Sequence, residues 1–190
     1  MDTIPSISVV TEIKDFMEAL TPVQQKFILH WGEMGVRWGI SRTMAQMHAL
    51  LYLSPKPMHA EDICALLGVA RSNVSTNLRE LQNWGIVKVV HVMGDRRDHF
   101  ESMADVWEMF RQVLDERKKR EIDPTVEVLR QCAEATAKDK DQSNHERLVA
   151  MRDFFETMSG WYDQIDALPT PAVIKFVKMG GKVAKWIGGK

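Results

Sequence analysis

Ser72, Asn73, Ser75, Thr76 and Arg79 crowd hydroxyl, amide and guanidinium groups into a short stretch of the chain. At about 100° per residue of an α-helix, Ser72, Thr76, Arg79 and Asn83 fall on one face, flanked by Asn73 and Ser75. Val74, Leu78 and Leu81 fall opposite. The outward groups are hydrogen-bond formers that suit phosphates and base edges. Arginine reads guanine and asparagine reads adenine in a major groove, while hydroxyls bond phosphate oxygens. The N-terminal end of such a helix, from Arg71 on, would meet bases first. A second basic feature follows at Gly94-Asp95-Arg96-Arg97. A turn carrying two arginines can lie along phosphates or enter a narrow minor groove. Asp95 and Asp98 are expected to hold those arginines by ion pairing. From Arg71 to His99 there are five basic and three acidic residues, a local charge of +2. An outward polar face and a charged turn are also what any solvated surface shows. The elements around them decide between the two readings.

Those elements come in a definite order between Met58 and Ser102. Ile63, Leu66 and Leu67 give a short helix an apolar stripe, and Gly68 stands where a helix-ending glycine does. The donor-bearing helix starts near Arg71. Ile86–Val90 reads as a strand and Asp98–Ser102 as its partner, joined by the Arg-Arg turn. This is the order of a winged helix-turn-helix, with the hairpin as the wing. The fold class expected is mainly α with a small β-hairpin.

LLGVARSNVSTNLRELQNWGIVKVV followed by GDRRDHFES resembles the GbsR-type branch of the MarR family of winged-helix transcription regulators. The likeness is strong over the winged helix and extends to the order and length of the flanking helices. It implies a homodimer whose helices at both ends of the chain pack together. Each subunit then presents one recognition helix to a half-site of palindromic double-stranded DNA. It also implies that a wing arginine, Arg96 or Arg97 here, contacts DNA. The DNA-contacting set expected is therefore Arg71, Ser72, Asn73, Ser75, Thr76, Arg79, Arg96 and Arg97. His59 and Ala70 depart from the pattern, because a Ser or Thr often caps the two reading helices there. Ala70 is a poor cap, at a cost of about 1 kcal/mol.

The flanks read as helices. Residues 7–20 carry Val9, Ile13, Phe16, Met17 and Leu20 at helical spacing. Thr21-Pro22 with Gln24 is a capping box opening a helix to about Trp38. Gly32, Gly35 and Gly39 weaken it and mark candidate close contacts. Ser41 caps a helix to about Leu53 with Met44, Met47, Leu50 and Leu51 inward, and Ser54-Pro55-Lys56-Pro57 stops it. Residues 103–121 form a helix with Val106, Met109, Phe110, Val113 and Leu114 on one side. The basic run Arg117–Arg120 is expected at its C-terminal end, where it suits the helix dipole. Another helix starts at Asp123-Pro124 and reaches about Lys138. A polar break follows, then a long helix from about His145 to Leu168, ended by Pro169 and Pro171. The divisions expected are 1–40 as an N-terminal dimerisation arm, 41–102 as the DNA-binding domain, 103–168 as a C-terminal dimerisation region and 169–190 as a basic tail.

Five of the six tryptophans lie outside the reading stretch. Trp31 and Trp38, seven positions apart, share a helix face; Trp107 adds a third ring. Some proteins of the resembled branch respond to choline-type ligands, and aromatic faces attract quaternary ammonium. An effector cage at Trp31, Trp38 and Trp107 is one expectation and plain core packing is the other. In the tail, Lys175, Lys178, Lys182 and Lys185 lie opposite Val173, Phe176, Val177, Ala184 and Ile187. Docking on the dimer body is the expected role, since Gly180-Gly181 argues against a free membrane helix.

Bulk composition narrows the rest. With 190 residues and a net charge of −1, DNA affinity has to come from local patches. Cys64 and Cys132 match no metal or redox spacing and suit a reducing cytoplasm. No membrane span or signal peptide is evident. No phosphate loop, nucleophile motif or His/Glu metal pattern appears, so neither catalysis nor a cofactor or metal is expected. The competing reading is a winged helix used for protein contacts without DNA affinity.

Overall fold

The computed structural model describes residues 20–138 and 142–187, with side chains through Gly180. The helix expected over 7–20 lies outside the described residues apart from Leu20. So do the side chains of Lys182, Ala184, Lys185 and Ile187 and the middle of the polar break. The chain divides into two compact units, Met1–Ala104 and Asp105–Lys190.

In the first unit, α1 (Pro22–Arg37) opens on the capping box. The Thr21 hydroxyl accepts from Gln24 N–H, and the Thr21 N–H donates to Gln24 Oε1 at 2.9 Å. α2 (Arg42–Leu53) is capped by Ser41, whose Oγ accepts from Met44 N–H. Met44, Met47, Leu50 and Leu51 are all buried, as their spacing predicts. α1 lies close on α2 through two glycines. A Cβ on Gly35 would stand 2.4 Å from Ala45 Cβ, and one on Gly32 would stand 2.6 Å from Gln46. Gly35→Ala therefore gains helix propensity but must push two backbone-anchored groups apart. We expect a net loss of about 1–2 kcal/mol, because overpacking outweighs the propensity gain. A urea midpoint at or above that of the parent would contradict this.

β1 (Met58–His59), α3 (Ala60–Leu67), α4 (Arg71–Asn83), β2 (Val87–His91) and β3 (Asp98–Ser102) complete the unit. The sheet is antiparallel in the order β1-β3-β2. Val89 and Met58 both pair with Phe100 on β3. The sequence predicts the β2–β3 hairpin but not β1, because two residues after a proline show no alternation. Met47, Ile63, Val74, Leu78 and Leu81 are the largest fully buried side chains of the core. Leu66 and Leu67 are only half-buried. The architecture is thus mainly helical with a small sheet, a winged helix-turn-helix with helices on either side in sequence.

In the second unit, α5 (Val106–Arg117) is capped by Asp105, whose Oδ1 accepts from the N–H groups of Trp107 and Glu108. The Arg117–Arg120 run is not a helix end. A π turn (Lys118–Ile122) carries the backbone directly into α6 (Asp123–Thr136). Each charge of the run finds an acid: Lys118 meets Asp123 at 2.8 Å and Asp163 at 3.3 Å, and Lys119 meets Asp115 at 2.6 Å. Arg117 pairs with Glu121 and Arg120 with Glu116. Local pairing one turn away displaces the expected dipole role. α7 (Ser143–Asp166) packs on α6, where Val126, Leu129 and Ala133 are buried. α8 (Thr170–Ile187) starts with Pro171 in its first turn, so the two prolines separate two helices. Arg111 ties α5 to the α7–α8 corner, donating to the Asp166 carbonyl and to Thr170 Oγ1.

α5 and α7 differ from expectation in one respect. Neither buries a residue, and Val106 and Phe110 of the predicted inner face stand more than half exposed. Met151, Phe154, Met158 and Trp161 repeat the pattern along α7. Apolar stripes at helical spacing ordinarily face a partner.

Candidate nucleic-acid interface

The reading head is set by three local devices. The first is the cap of α3. His59 replaces the usual hydroxyl and does cap, its Nδ1 accepting from Asp62 N–H at 3.2 Å. The imidazole nitrogen reaches the position a serine oxygen would take, so the departure costs α3 no cap. The second is the tight turn. Gly68 adopts φ +64° and ends α3, while Val69 N–H returns to the Cys64 carbonyl. Only a residue free of Cβ adopts this without strain. The third is the start of α4 at Ala70, which makes no side-chain cap. Ala70→Ser should stabilise the unit by about 1 kcal/mol by satisfying an N–H of the first turn. A thermal midpoint that fails to rise would show that this N–H is already satisfied another way.

α4 then orients the donors. Val74, Leu78 and Leu81 are locked in the core, so the opposite face must point out. Ser72, Asn73, Thr76 and Arg79 are exposed, and Ser75 is half-buried at the edge. Asn73 is not loose. Asn77 Nδ2 donates to both the carbonyl and the side-chain oxygen of Asn73, while Asn77 Oδ1 accepts from the Ser41 hydroxyl at 3.0 Å. Asn77 is thus a positioning residue that the sequence reading missed. Its i+4 spacing from Asn73 was the available signal. Arg71 is turned back to Glu61, with Nε to Oε1 at 3.1 Å.

The wing turns at Gly94, φ +87°, closed by Asp95 N–H to the Val92 carbonyl. Asp95 grips Arg97 twice, accepting from its backbone N–H and, through both carboxylate oxygens, from its guanidinium. That grip holds the Asp95 carboxyl well below the usual carboxylate range. Asp98 pairs with neither arginine among the described residues. Arg96 is exposed and keeps no ion-pair partner among them. The two wing arginines are therefore unlike: Arg97 is braced against the turn and Arg96 projects.

Between α4 and the sheet lies an open cleft of about 340 Å³ whose lining includes Arg71, Ser75, Arg79, Arg97 and Phe100. Five of the eight sequence-predicted contact residues thus stand exposed on α4 or project from the wing without a restraining acid: Ser72, Asn73, Thr76, Arg79 and Arg96. Ser75 sits at the rim, and Arg71 and Arg97 are tied back. Cys64 is half-buried, and burial pushes its thiol up, away from thiolate reactivity. Among the described residues no three His, Cys, Asp or Glu side chains gather as a metal site. No described helix is long and apolar enough to cross a membrane.

Of the aromatic residues, Trp31 and Trp38 meet edge to face at 5.3 Å between ring centres, and Phe27 stacks on Trp31 at 5.3 Å. Trp107 lies in the second unit, half-buried at the start of α5.

Comparison with known proteins places this geometry. Residues 38–98 match the model of the MarR family. The HTH-type transcriptional regulator YvaV of Bacillus subtilis is 24% identical over 97 residues, 51% of this chain and 55% of its own, so the match spans about half of that relative. The HTH-type transcriptional repressor GbsR of the same organism is 20% identical over 154 residues, 76% of this chain and 85% of its own. A crystal structure of a transcriptional regulator superposes with a TM-score of 0.64, 21% identity, and coverage of 83% of this chain and 99% of that one, which establishes a shared fold. All three are named as regulators.

Proposed function

We propose that this chain, whose residues 38–98 match the model of the MarR family, is a sequence-specific double-stranded DNA-binding transcription regulator acting as a homodimer. The observation that carries this is the face of α4. Ser72, Asn73, Thr76 and Arg79 stand outward on a helix fixed by three core residues, next to a wing from which Arg96 projects. The exposed stripes on α5 and α7 support the homodimer. Their occupant is a second copy of the chain, because two reading heads related by a two-fold axis match a palindromic operator. The likeness to a protein named as a repressor favours repression.

The test is selection of bound fragments from a random DNA pool by the full-length protein, followed by titration at several salt concentrations. The expected result is an enriched inverted repeat whose affinity falls steeply with salt as phosphate contacts release counterions. Absence of any enriched sequence at low salt would favour the protein-contact reading instead.

The effector reading is narrower. A choline-type quaternary ammonium is the class the resemblance implies, and Phe27, Trp31 and Trp38 offer aromatic surface. The 5.3 Å edge-to-face contact leaves no gap between the two indoles for an ammonium. A cation would have to lie on an outer ring face. Calorimetry with choline and glycine betaine decides it; no heat at millimolar ligand would remove the effector from the proposal.

A further inference from the structure

We propose that His59 and His99 form a proton-operated link between the wing and the start of the reading head, through which mild acid tightens DNA binding. The inference rests on the DNA-binding reading above.

The sheet creates the link. β1 pairs His59 with His99 across the ladder, and the rings meet edge to face at 5.6 Å, both largely buried. His59 Nδ1 stands 3.2 Å from two groups of opposite demand: the Asp62 N–H, which needs an acceptor, and Glu61 Oε2, which needs a donor. A bare Nδ1 satisfies the first and a protonated one the second. The ring's other nitrogen faces Asp62 Oδ1 at 3.3 Å and donates there in either state. Protonation thus trades the helix cap for an ion pair with Glu61. Glu61 is the acid that holds Arg71 back.

His99 repeats the logic on the wing. Its Nδ1 lies 3.0 Å from the Arg97 carbonyl, which only accepts, so Nδ1 carries the proton and Nε2 is bare in the neutral ring. Nε2 stands 3.6 Å from Asp95 Oδ2. Asp95 is the acid that grips Arg97. A proton on either histidine therefore engages the carboxylate that restrains a DNA-facing arginine. It also adds positive charge beside the cleft.

The surrounding charges do not cancel this. α3 brings Glu61 and Asp62, and α4 brings Arg71. The wing turn brings Asp95 and Arg97, the latter also within electrostatic reach of Asp62 and Glu61. β2, on the far side of β3, brings Lys88, already paired with Glu101, and His91 opposite Asp98. α2, packed on β3, carries Arg42 and His48. Of the acids facing the histidine pair, Glu61 is paired with Arg71 and Asp95 with Arg97, and Asp62 lies within electrostatic reach of Arg97. Histidine is the side chain whose charge changes between about pH 5 and 8.

The decisive experiment measures full-length protein on the selected DNA fragment at fixed salt, at pH 8 and pH 6. Binding should be roughly tenfold tighter at pH 6, the size expected for uptake of about half a proton per complex over that interval. His59→Asn keeps a capping side chain and removes the proton site. In His59→Asn/His99→Gln the change should fall below about twofold, whereas His91→Gln on exposed β2 should keep the parental change. A pH-independent parent, or a pH dependence that survives the double variant, overturns the link and leaves the DNA-binding reading intact. Should no DNA bind at any pH, that reading falls and the link is judged by NMR alone. The Asp62 amide must shift along the His59 titration, and an amide that stays still refutes it.

Discussion

Arg79→Ala is expected to weaken binding to the selected operator by roughly tenfold to a hundredfold, the range for losing one well-made base contact. Arg79 is exposed on α4, one turn beyond Thr76, and no acid restrains it among the described residues. Arg71, tied to Glu61, and Arg97, tied to Asp95, must first give up a partner, so their alanine variants should lose less. Arg96→Ala should act differently again. A projecting wing arginine that contacts phosphate or a narrow minor groove contributes to most sequences, so its loss should weaken specific and non-specific binding together and flatten the salt slope. Competition with unrelated DNA separates the two roles. Equal loss on operator and competitor for Arg79→Ala would move that residue from base reading to backbone contact.

A second large effect concerns stability rather than binding. His48 sits inside the first unit on α2, with Nε2 buried and without a hydrogen-bond partner among the described residues. Burial pushes its pKa from 6.5 down to about 4. The folded protein therefore keeps this ring neutral, while the unfolded chain takes up a proton below pH 6.5. Stability from this residue is complete above 6.5, is lost as pH falls toward 4, and changes little below that. The loss should be about 3 kcal/mol. Urea unfolding of the parent and of His48→Leu from pH 7.5 to 4 measures it. The difference between them should swing toward the variant as pH falls, because Leu carries no proton site. The variant should also be near neutral or more stable at pH 7.5, since it removes an orphaned nitrogen. Parallel curves would mean that the nitrogen is satisfied by a group or water that also tolerates the charge.

The reading head was legible because its signals are local and redundant. Val74, Leu78 and Leu81 alternate with donors at helical spacing, Gly68 sits where a left-handed residue is required, and the wing is bounded by Gly94. Thr21 with Gln24, and Ser41, likewise announced their helices. Illegible were the features that depend on distant or degenerate pairing. β1 is too short to carry a pattern. At Asn77 the i+4 spacing to Asn73 is readable, but the bond to Ser41 is not, because that partner lies 36 positions away. The basic run at Arg117–Arg120 looked like a helix end because charge preference there is weak, and its acids one turn away neutralised it instead. The exposed stripes of α5 and α7 show the limit from the other side. The spacing predicted the apolar face of α5, but whether such a face meets its own chain or another is not encoded in its periodicity.

The π turn between α5 and α6 gives the second unit an unusual mutational profile. A π turn carries one residue more than an α turn, so it resets the angular phase of everything after it. Val126, Leu129 and Ala133 are the buried residues of α6, which packs on α7. Side-chain changes at Lys119, Arg120 and Glu121 disturb ion pairs of exposed residues and are cheap. A one-residue deletion there turns α6, and α7 packed on it, by about 100° relative to α5. The segment is tolerant in identity and intolerant in length, so insertions and deletions, rather than substitutions, are what this part of the chain has to avoid.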